Sequence, residues 1–246
     1  MNKTAIVTGA NIGLGLAITK ALAERNVKVI MACRNKDKAN TARDELRQEI
    51  PNATLETAIL DMSSLDSVLE FAAEFPQRYG ELDLLINNAG ITGMPLLRNS
   101  QDIELHMATN YLGPFALIGK LLPSFITSRQ TRIVNVNSLA HRSKGAEDLR
   151  DLSWTQASYD PMLAYGRSKF AFMMFTLELQ RRLDLAESKT IAISSHPGFA
   201  ATDILSKPGS AMAPKTWAGK LRQKILKPLI PTPPKGGSLY IGSSPG

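Results

Sequence analysis

The chain has 246 residues, which suits one domain with a sizeable core, or at most two domains. Hydrophobic residues make up 43% and charged residues 21%, as is ordinary for a soluble globular protein. The single cysteine, Cys33, excludes an internal disulfide and favours a reducing, cytoplasmic location. No apolar run reaches about 18 residues, so no membrane span is expected. The first residues pass directly into an apolar strand, so no signal peptide is expected.

The chain opens with a predicted strand, a glycine-rich turn and a helix. Residues 4–8 are a short β-prone apolar run, and residues 16–23 follow a helical pattern. Between them lie Gly9, Gly13 and Gly15, spaced Gly-x-x-x-Gly-x-Gly and not in the common Gly-x-Gly-x-x-Gly pattern. Glycines let a backbone turn tightly against a pyrophosphate, and the N–H groups at a helix N-terminus bind phosphate oxygens. We interpret the turn as a dinucleotide-binding loop; a plain glycine turn is the alternative.

The residues after the second predicted strand bear on the choice of nucleotide. This strand covers residues 27–32, and Cys33 and Arg34 follow it. Folds that prefer NAD place an acid here for the ribose 2′-hydroxyl, whereas a guanidinium binds a 2′-phosphate through paired hydrogen bonds. Arg34 therefore favours NADP(H) over NAD(H), although it could also be a solvated turn residue. Residues 36–50 predict an amphipathic helix.

Asp61 follows a third predicted strand, residues 55–60. Its carboxylate could accept a hydrogen bond from an adenine amino group, or it could cap the helix predicted at 65–78. Ser64 is the better cap candidate, because it directly precedes that helix. Asp61 is then available for the nucleotide.

Polar residues also follow the next predicted strands. Strand 82–86 runs into Asn87-Asn88-Ala89-Gly90, and strand 132–136 is followed by Ser138. Strand 191–194 leads to Pro197-Gly198. Ligands bind at the C-terminal ends of strands in open parallel sheets, so these positions are candidate site residues. A plain turn would also explain Asn-x-Ala-Gly.

Two long helices are predicted in the second half of the chain. Residues 101–127 form one, and Asn110 lies in its middle, where an amide is intrinsically unfavourable. This indicates a local role, either bonding backbone or holding a water. The second helix covers about residues 161–185 and carries Tyr165 and Lys169 one turn apart on one face. A nearby cation lowers the pKa of a phenol, so we interpret the pair as a general acid/base.

The alternation of strands and helices predicts a single doubly wound α/β domain over residues 1–246. This is a Rossmann fold, a parallel sheet of about six or seven strands with helices on both faces. Residues 234–240 resemble the start of a last helix, and no further strand follows it. We therefore expect about six strands and an exposed edge that favours pairing. No metal site is expected, because the histidines lack partners at metal-ligand spacing.

The segment 203–235 differs in composition from the rest of the chain. Its basic residues are Lys207, Lys215, Lys220, Arg222, Lys224, Lys227 and Lys235, against the acid Asp203. Apolar residues are interleaved with them, namely Trp217, Leu221, Ile225, Leu226, Leu229 and Ile230. A basic amphipathic helix can lie on a membrane surface or cover a lipophilic substrate, and we favour a substrate lid over peripheral membrane contact. One Trp is thin support for nucleic acid binding, so no nucleic-acid partner is expected.

Together these motifs resemble those of the short-chain dehydrogenase/reductase family (SDR), over residues 4 to about 243. They occur in the family's order: Thr8-Gly9-x-x-x-Gly13-x-Gly15, Asn87-Asn88-Ala89-Gly90, Asn110, Ser138 with Tyr165-x-x-x-Lys169, and Pro197-Gly198-x-x-x-Thr202. The sequences Thr-Gly-Ala-Asn and Ala-Cys-Arg-Asn are most similar to those of the retinol-dehydrogenase-like and protochlorophyllide-reductase-like branch. Members of that branch often reduce bulky lipophilic carbonyls with NADPH.

The resemblance implies a role for each matching residue. Tyr165 would exchange a proton with the carbonyl or alcohol oxygen, and Ser138 would hydrogen-bond that oxygen. Lys169 would lower the pKa of Tyr165 and bind the nicotinamide ribose, while Asn110 would hold a water that links Lys169 to solvent. The residues implied to line the cofactor, besides Tyr165 and Lys169, are Gly9, Asn11, Ile12, Gly13, Leu14, Gly15, Arg34, Asp61, Met62, Asn88, Ala89, Gly90, Pro197, Gly198 and Thr202. Ile12 departs from the family, where Ser or a basic residue is frequent, so Arg34 must carry most of the NADP preference.

The resulting hypothesis is an NADP(H)-dependent oxidoreductase that interconverts a small-molecule lipophilic carbonyl and its alcohol. The alternative is an NADP(H)-binding sensor or scaffold protein on the same fold. Such proteins usually lose the Tyr or the Ser that this sequence keeps. The resemblance also implies a homodimer or homotetramer that pairs through helices such as 101–127 and 160–185.

Overall fold

A computed structural model describes residues 3–125, 127, 129–155 and 158–196. Its strands are β1 Thr4–Thr8, β2 Lys28–Cys33, β3 Leu55–Ile59, β4 Leu84–Asn87, β5 Thr131–Val136 and β6 Thr190–Ser195. They form one parallel six-stranded sheet in the order β3-β2-β1-β4-β5-β6. The strand order reverses between β1 and β4, which opens a crevice at their C-terminal ends. The predicted doubly wound fold is confirmed.

Helices connect these strands. They are α1 Gly13–Ala23, α2 Lys36–Glu49, α3 Leu65–Tyr79, α4 Leu105–Met107, α5 Gly113–Leu121 and α6 Pro161–Leu185. Ser64 caps α3 as predicted, because its hydroxyl accepts the amide of Ser67. Asp160 caps α6, and its carboxylate accepts the amides of Met162 and Leu163 at 2.8 and 2.9 Å. This cap fixes the start of the helix that carries Tyr165 and Lys169.

Both faces of the sheet carry a hydrophobic core. In β1, Ile6 belongs to the cluster that contains Phe75 of α3, whereas Val7 belongs to the cluster that contains Ile18 of α1. Strands buried on both faces contain nearly continuous apolar runs, as the central strands β1, β2 and β4 do. The polar residues that follow them are therefore concentrated at the C-terminal edge of the sheet.

The helix predicted over residues 101–127 is wrong in its bounds and in its regularity. The helical stretch begins at Leu105, and a π-helical turn, Ala108–Leu112, separates α4 from α5. Asn110 lies in that turn. A π turn is wider than an α turn and occurs often at functional sites.

The residues before Leu105 explain the late start. Glu104 forms an isolated antiparallel bridge with Arg98, so the chain is still extended there. The Glu104 carboxylate accepts the amide of Met107 at 2.8 Å and caps the helix. Hydrophobic spacing alone does not reveal this cap, because the helical pattern extends through it.

Several predicted features lie outside the described residues. They are Pro197, Gly198, Thr202, the segment 203–235 and the last helix near 234–240. The substrate lid and the single-domain boundary therefore stay predictions. In the ranges that the structure covers, no helix combines the length and the apolar character needed to cross a bilayer.

Candidate active site

The turn after β4 is bonded to the end of β1. The Thr8 hydroxyl accepts the amides of Asn88 and Ala89 at 3.0 and 2.9 Å. The Asn88 side-chain amide donates to the carbonyls of Thr8 and Gly9, at 2.9 and 3.4 Å. The Asn-Ala-Gly turn is thereby held against the glycine loop, as is needed for both to face one ligand.

The glycine loop, residues 9–15, fits a pyrophosphate. Gly9 and Gly13 have φ values of +64° and +58°, a region that favours glycine. A Cβ atom at Gly15 would lie 2.2 Å from the carbonyl oxygen of Gly9. The N-cap residue of α1, Ile12, makes no side-chain hydrogen bond to the helix, and the first turn contains no acid. The first amides of α1 are therefore suited to phosphate oxygens.

The other predicted loop residues differ in exposure. Ile12 is 49% exposed, whereas Asn11 and Leu14 are partly buried. Leu14 packs against the core cluster on the α1 side of the sheet. The Ile12 side chain has no polar group, so recognition of a 2′-phosphate would fall to other residues.

Arg34 lies just past the end of β2, next to the glycine loop. The amide of Gly9 donates to the carbonyl of Ala32 at 2.9 Å, which ties the two segments together. The Arg34 side chain is exposed, while Cys33 is buried. Burial raises the pKa of the Cys33 thiol. Of these two residues, Arg34 is the one whose side chain can reach a ligand, through its guanidinium.

Asp61 and Met62 follow β3. One Asp61 carboxylate oxygen accepts the amide and the hydroxyl of Ser63, at 2.9 and 2.6 Å. Met62 is buried in the core, and its carbonyl oxygen would lie 2.2 Å from a Cβ at Gly113. A contact from Met62 to a cofactor would therefore come from its backbone.

Tyr165 lies within reach of Ser138, and its interaction with Ser138 acts to lower the pKa of the phenol. Ser138 precedes a 3₁₀ turn, Leu139–Arg142, and its hydroxyl accepts the amide of Ala140 at 3.2 Å. Burial has the larger effect and raises the pKa of Tyr165, so the interaction with Ser138 offsets only part of the increase. The sequence predicted that Lys169 lowers the pKa of Tyr165. That prediction is wrong for the protein without cofactor, because desolvation of the phenol has the larger effect and raises this pKa. The phenol keeps its proton at neutral pH.

Lys169 lies one turn further along α6 and is 5% exposed. Its Nζ donates to the carbonyl of Val136 at 2.9 Å and lies 6.0 Å from the centre of the Tyr165 ring. Burial lowers the pKa of Lys169 to about 8. The ammonium therefore lies at the same site as the phenol, anchored to the end of β5.

Replacing Lys169 should change how stability depends on pH. The folded-state pKa is lowered from 10.5 to about 8, so between these values the unfolded chain binds more protons than the folded chain. Lys169 then opposes folding at pH values below this window, and its cost disappears as the pH rises through the window. We expect the unfolding free energy of Lys169→Met, minus that of the unmodified protein, to fall with rising pH by up to about 1.4 kcal/mol per pH unit.

Urea unfolding at several pH values measures this difference. Lys120→Met removes a lysine exposed on α5 and serves as the matched control. Its stability difference should stay constant over the same range. A constant difference for Lys169→Met would show that the buried amine does not titrate there.

Asn110 links the loop after β4 to α6. Its Oδ1 accepts the amide of Ile91 at 2.9 Å, and its Nδ2 donates to the carbonyl of Ile91 at 3.0 Å. The same Nδ2 donates to the Ser168 hydroxyl at 3.0 Å, which donates to the carbonyl of Tyr165 at 2.7 Å. The Asn110 side chain thus bonds backbone, one of the two local roles expected. The water that links Lys169 to solvent stays a prediction.

A buried polar cluster beside Tyr165 was not predicted from the sequence. Glu104 and His106 lie 2.8 Å apart, and the Tyr159 hydroxyl contacts both, at 2.9 and 3.1 Å. The ring centres of His106 and Tyr165 are 6.2 Å apart. The Glu-x-His pair at a helix start is a visible signal. Tyr159 is 55 positions from Glu104, however, and only the fold brings them together.

A doubly wound sheet with a glycine loop at its switch point defines a dinucleotide-binding α/β protein. Residues 3–149 match the family described as short chain dehydrogenase. This chain belongs to the short-chain dehydrogenase family.

Known relatives place it near the retinol-dehydrogenase-like branch. Retinol dehydrogenase 13 of Homo sapiens is 39% identical over 202 residues, which cover 82% of this chain and 60% of the relative. Retinol dehydrogenase 14 of Mus musculus is 35% identical, and the match covers 99% of this chain and 74% of the relative. An uncharacterized protein from Mycobacterium paratuberculosis, known from a crystal structure, is 40% identical and superposes with a TM-score of 0.71. The match covers 82% of this chain and 70% of that protein. The chain thus spans 60% of the length of retinol dehydrogenase 13.

Proposed function

We propose that this protein is an NADP(H)-dependent oxidoreductase that interconverts a lipophilic carbonyl compound and its alcohol. The observation that carries the proposal is the meeting of three side chains: the Tyr165 phenol interacts with Ser138, and the Nζ of buried Lys169, one turn along α6, lies 6.0 Å from the Tyr165 ring centre. Ser138 follows β5 in the chain, whereas Tyr165 and Lys169 lie on α6. The Lys169 amine donates to the carbonyl of Val136 at the end of β5 and so joins the two segments. Membership of the short-chain dehydrogenase family supports the class of reaction.

The chain's own residues would manage the proton. A bound nicotinamide supplies or accepts the hydride. In reduction, Tyr165 gives its proton to the substrate oxygen, and the Ser138 hydroxyl donates a hydrogen bond to the same oxygen. The Lys169 ammonium stabilises the phenolate left behind, because an opposite charge nearby favours the ionised form. In oxidation the same groups act in the reverse direction.

The glycine loop would hold the nucleotide by its pyrophosphate. The uncapped first turn of α1 and the tight approach of Gly15 to Gly9 support this. Asp61, with one oxygen bonded to Ser63, would reach the adenine, and Arg34 would meet the 2′-phosphate. Pro197, Gly198 and Thr202 are proposed to complete the site from outside the described residues.

Arg34→Ala should reduce the preference for NADP(H). A hydrogen bond to a charged group is worth about 1.5–3 kcal/mol, so KM for NADPH should rise roughly ten- to hundredfold. KM for NADH should change little, since NADH has no 2′-phosphate. Steady-state kinetics with both nucleotides measures this, and Lys38→Ala, an exposed cation on α2, is the matched control. An equal loss with both nucleotides would assign Arg34 to general stability of the loop.

A panel of lipophilic aldehydes and ketones tests the proposed activity. The relatives' names refer to retinol, an apolar alcohol, and the run Met94-Pro95-Leu96-Leu97 after β4 is apolar. The purified protein should oxidise NADPH and form the alcohol with members of the panel. NADPH binding without turnover of any member would instead favour a sensor or scaffold.

We also propose a cytoplasmic homodimer or homotetramer. Large apolar side chains are exposed on α5 and α6: Phe115 is 49% exposed, Met174 48% and Leu177 58%. Apolar patches of this kind mark association surfaces. Light scattering during size-exclusion chromatography would measure the assembled mass.

A further inference from the structure

Three polar side chains meet in the interior beside Tyr165. Glu104 and His106 are 1% and 0% exposed, and Tyr159 is partly buried. Oε1 of Glu104 lies 2.8 Å from Nδ1 of His106 and accepts the Tyr159 hydroxyl at 2.9 Å. The proton and hydride transfers proposed above use none of these groups.

Hydrogen bonding assigns a donor and an acceptor to each contact in this cluster. The amide of Met94 donates to Nε2 of His106 at 3.3 Å, so Nε2 is an acceptor and the ring proton is on Nδ1. Nδ1 then donates to Glu104. Burial acts to raise the pKa of Glu104, but hydrogen bonds from His106 and Met107 outweigh it and leave this pKa below its usual range. Glu104 is therefore a buried carboxylate that needs every one of its donors.

The cluster holds the loop after β4 at one residue. The carbonyl of Met94 accepts the Tyr159 hydroxyl at 3.2 Å, while its amide donates to His106. Both backbone groups of Met94 are thus bonded by side chains from different parts of the chain. We call Glu104, His106 and Tyr159 the Met94 clamp.

The clamp is continuous with the catalytic helix. The Tyr159 ring packs edge-on against Trp154 at 5.1 Å, and the Arg167 guanidinium lies 4.5 Å from the Trp154 ring centre. Arg167, on α6, is buried and donates to the carbonyl of Asp151 at 3.2 Å. A displacement of Tyr159 would therefore also displace its packing partners on α6 and in the loop after Ser138.

We propose that the Met94 clamp is a positioning device that fixes the loop at Met94 relative to Tyr165 and so sets the substrate side of the reaction cleft. The inference rests on the proposed function and adds the residues that would control substrate fit. A buried polar network whose members are all hydrogen-bonded rigidifies the interior and specifies one arrangement. Leu96 and Leu97 follow on this loop and are 41% and 43% exposed, as suits a wall for an apolar substrate.

Tyr159→Phe tests the clamp, because it removes the hydroxyl and keeps the ring that packs on Trp154. Tyr79→Phe is the matched control, since the Tyr79 hydroxyl is buried and has no hydrogen-bond partner in the part of the chain that the structure describes. Glu104→Gln is the second variant, which keeps the shape and removes the charge. Hydrogen exchange of the 91–97 amides and kinetics with decanal and propanal are measured for each protein.

The expected result is faster exchange at Met94 in Tyr159→Phe and Glu104→Gln, but not in Tyr79→Phe. Per folded molecule, kcat/KM for decanal should fall by about 10- to 100-fold, since small displacements of reacting groups have effects of this size. The preference for decanal over propanal should shrink, while the Kd for NADPH stays unchanged.

Other outcomes separate the claim about the Met94 clamp from the proposed oxidoreductase function. A lower melting temperature with unchanged kinetics per folded molecule would assign the cluster a structural role and overturn the inference. If the unmodified protein reduces no carbonyl, the proposed function fails, and the exchange measurement alone decides the clamp. Unchanged exchange at Met94 in both variants would then overturn it.

Discussion

Tyr165→Phe should lower carbonyl turnover by about 10²–10⁴-fold, the contribution typical of a general acid or base. The variant keeps the ring but loses the hydroxyl that interacts with Ser138. Ser138 and Lys169 stay in place, because Ala140 and Val136 bond them. The affinity for NADPH should therefore change little, and single-turnover kinetics with a nucleotide titration measures both quantities.

The same control variant, Tyr79→Phe, fits this experiment. It also deletes one buried phenol hydroxyl, at the C-terminal end of α3 and outside the proposed site. Its turnover should equal that of the unmodified protein. A Tyr165→Phe variant that retains most of its activity would refute the assignment of Tyr165 as the proton donor.

Gly15→Ala should weaken nucleotide binding strongly. The added Cβ would lie 2.2 Å from the Gly9 carbonyl oxygen and 2.5 Å from Nδ2 of Asn88. The Gly9 oxygen belongs to the backbone, and the Asn88 amide is held by hydrogen bonds to the carbonyls of Thr8 and Gly9, so the glycine loop must move. Overpacking of this kind costs about 1–3 kcal/mol, and when it displaces the phosphate-binding amides, the affinity for NADPH should fall roughly ten- to hundredfold or more.

Gly119→Ala is the control for this prediction. Gly119 also lies within a helix, α5, and among the described residues a Cβ there would meet no atom within 4 Å outside the backbone of that helix. Alanine is the better helix former, so this variant should gain up to about 1 kcal/mol of stability. Calorimetric titration with NADPH compares the two, and equal affinities would show that the close approach at Gly15 is not required for binding.

Sequence patterns located the elements that depend on local order. Apolar runs identified the six described strands, and Ser64 marked the start of α3. The Tyr165 helix was predicted with the bounds that the structure gives, Pro161–Leu185. These features are set by neighbours in the chain, so a linear pattern contains them.

Features that depend on distant residues were not predictable in this way. The π turn at Asn110 forms where its side chain bonds Ile91 and Ser168, and the latter is 58 positions away. The direction of the Tyr165 pKa was missed because spacing reports the nearby lysine and does not report burial. The Met94 clamp needs Tyr159, which only the fold brings to Glu104.

Transfer of deuterium from nicotinamide-labelled NADPH to a lipophilic aldehyde tests the central claim most directly. Mass spectrometry of the alcohol product should find one deuterium on the former carbonyl carbon, and the amount of labelled alcohol formed in the same time should fall steeply when Tyr165→Phe replaces the unmodified protein. NADPH bound at the glycine loop with no labelled alcohol from any aldehyde or ketone in the panel would contradict the account.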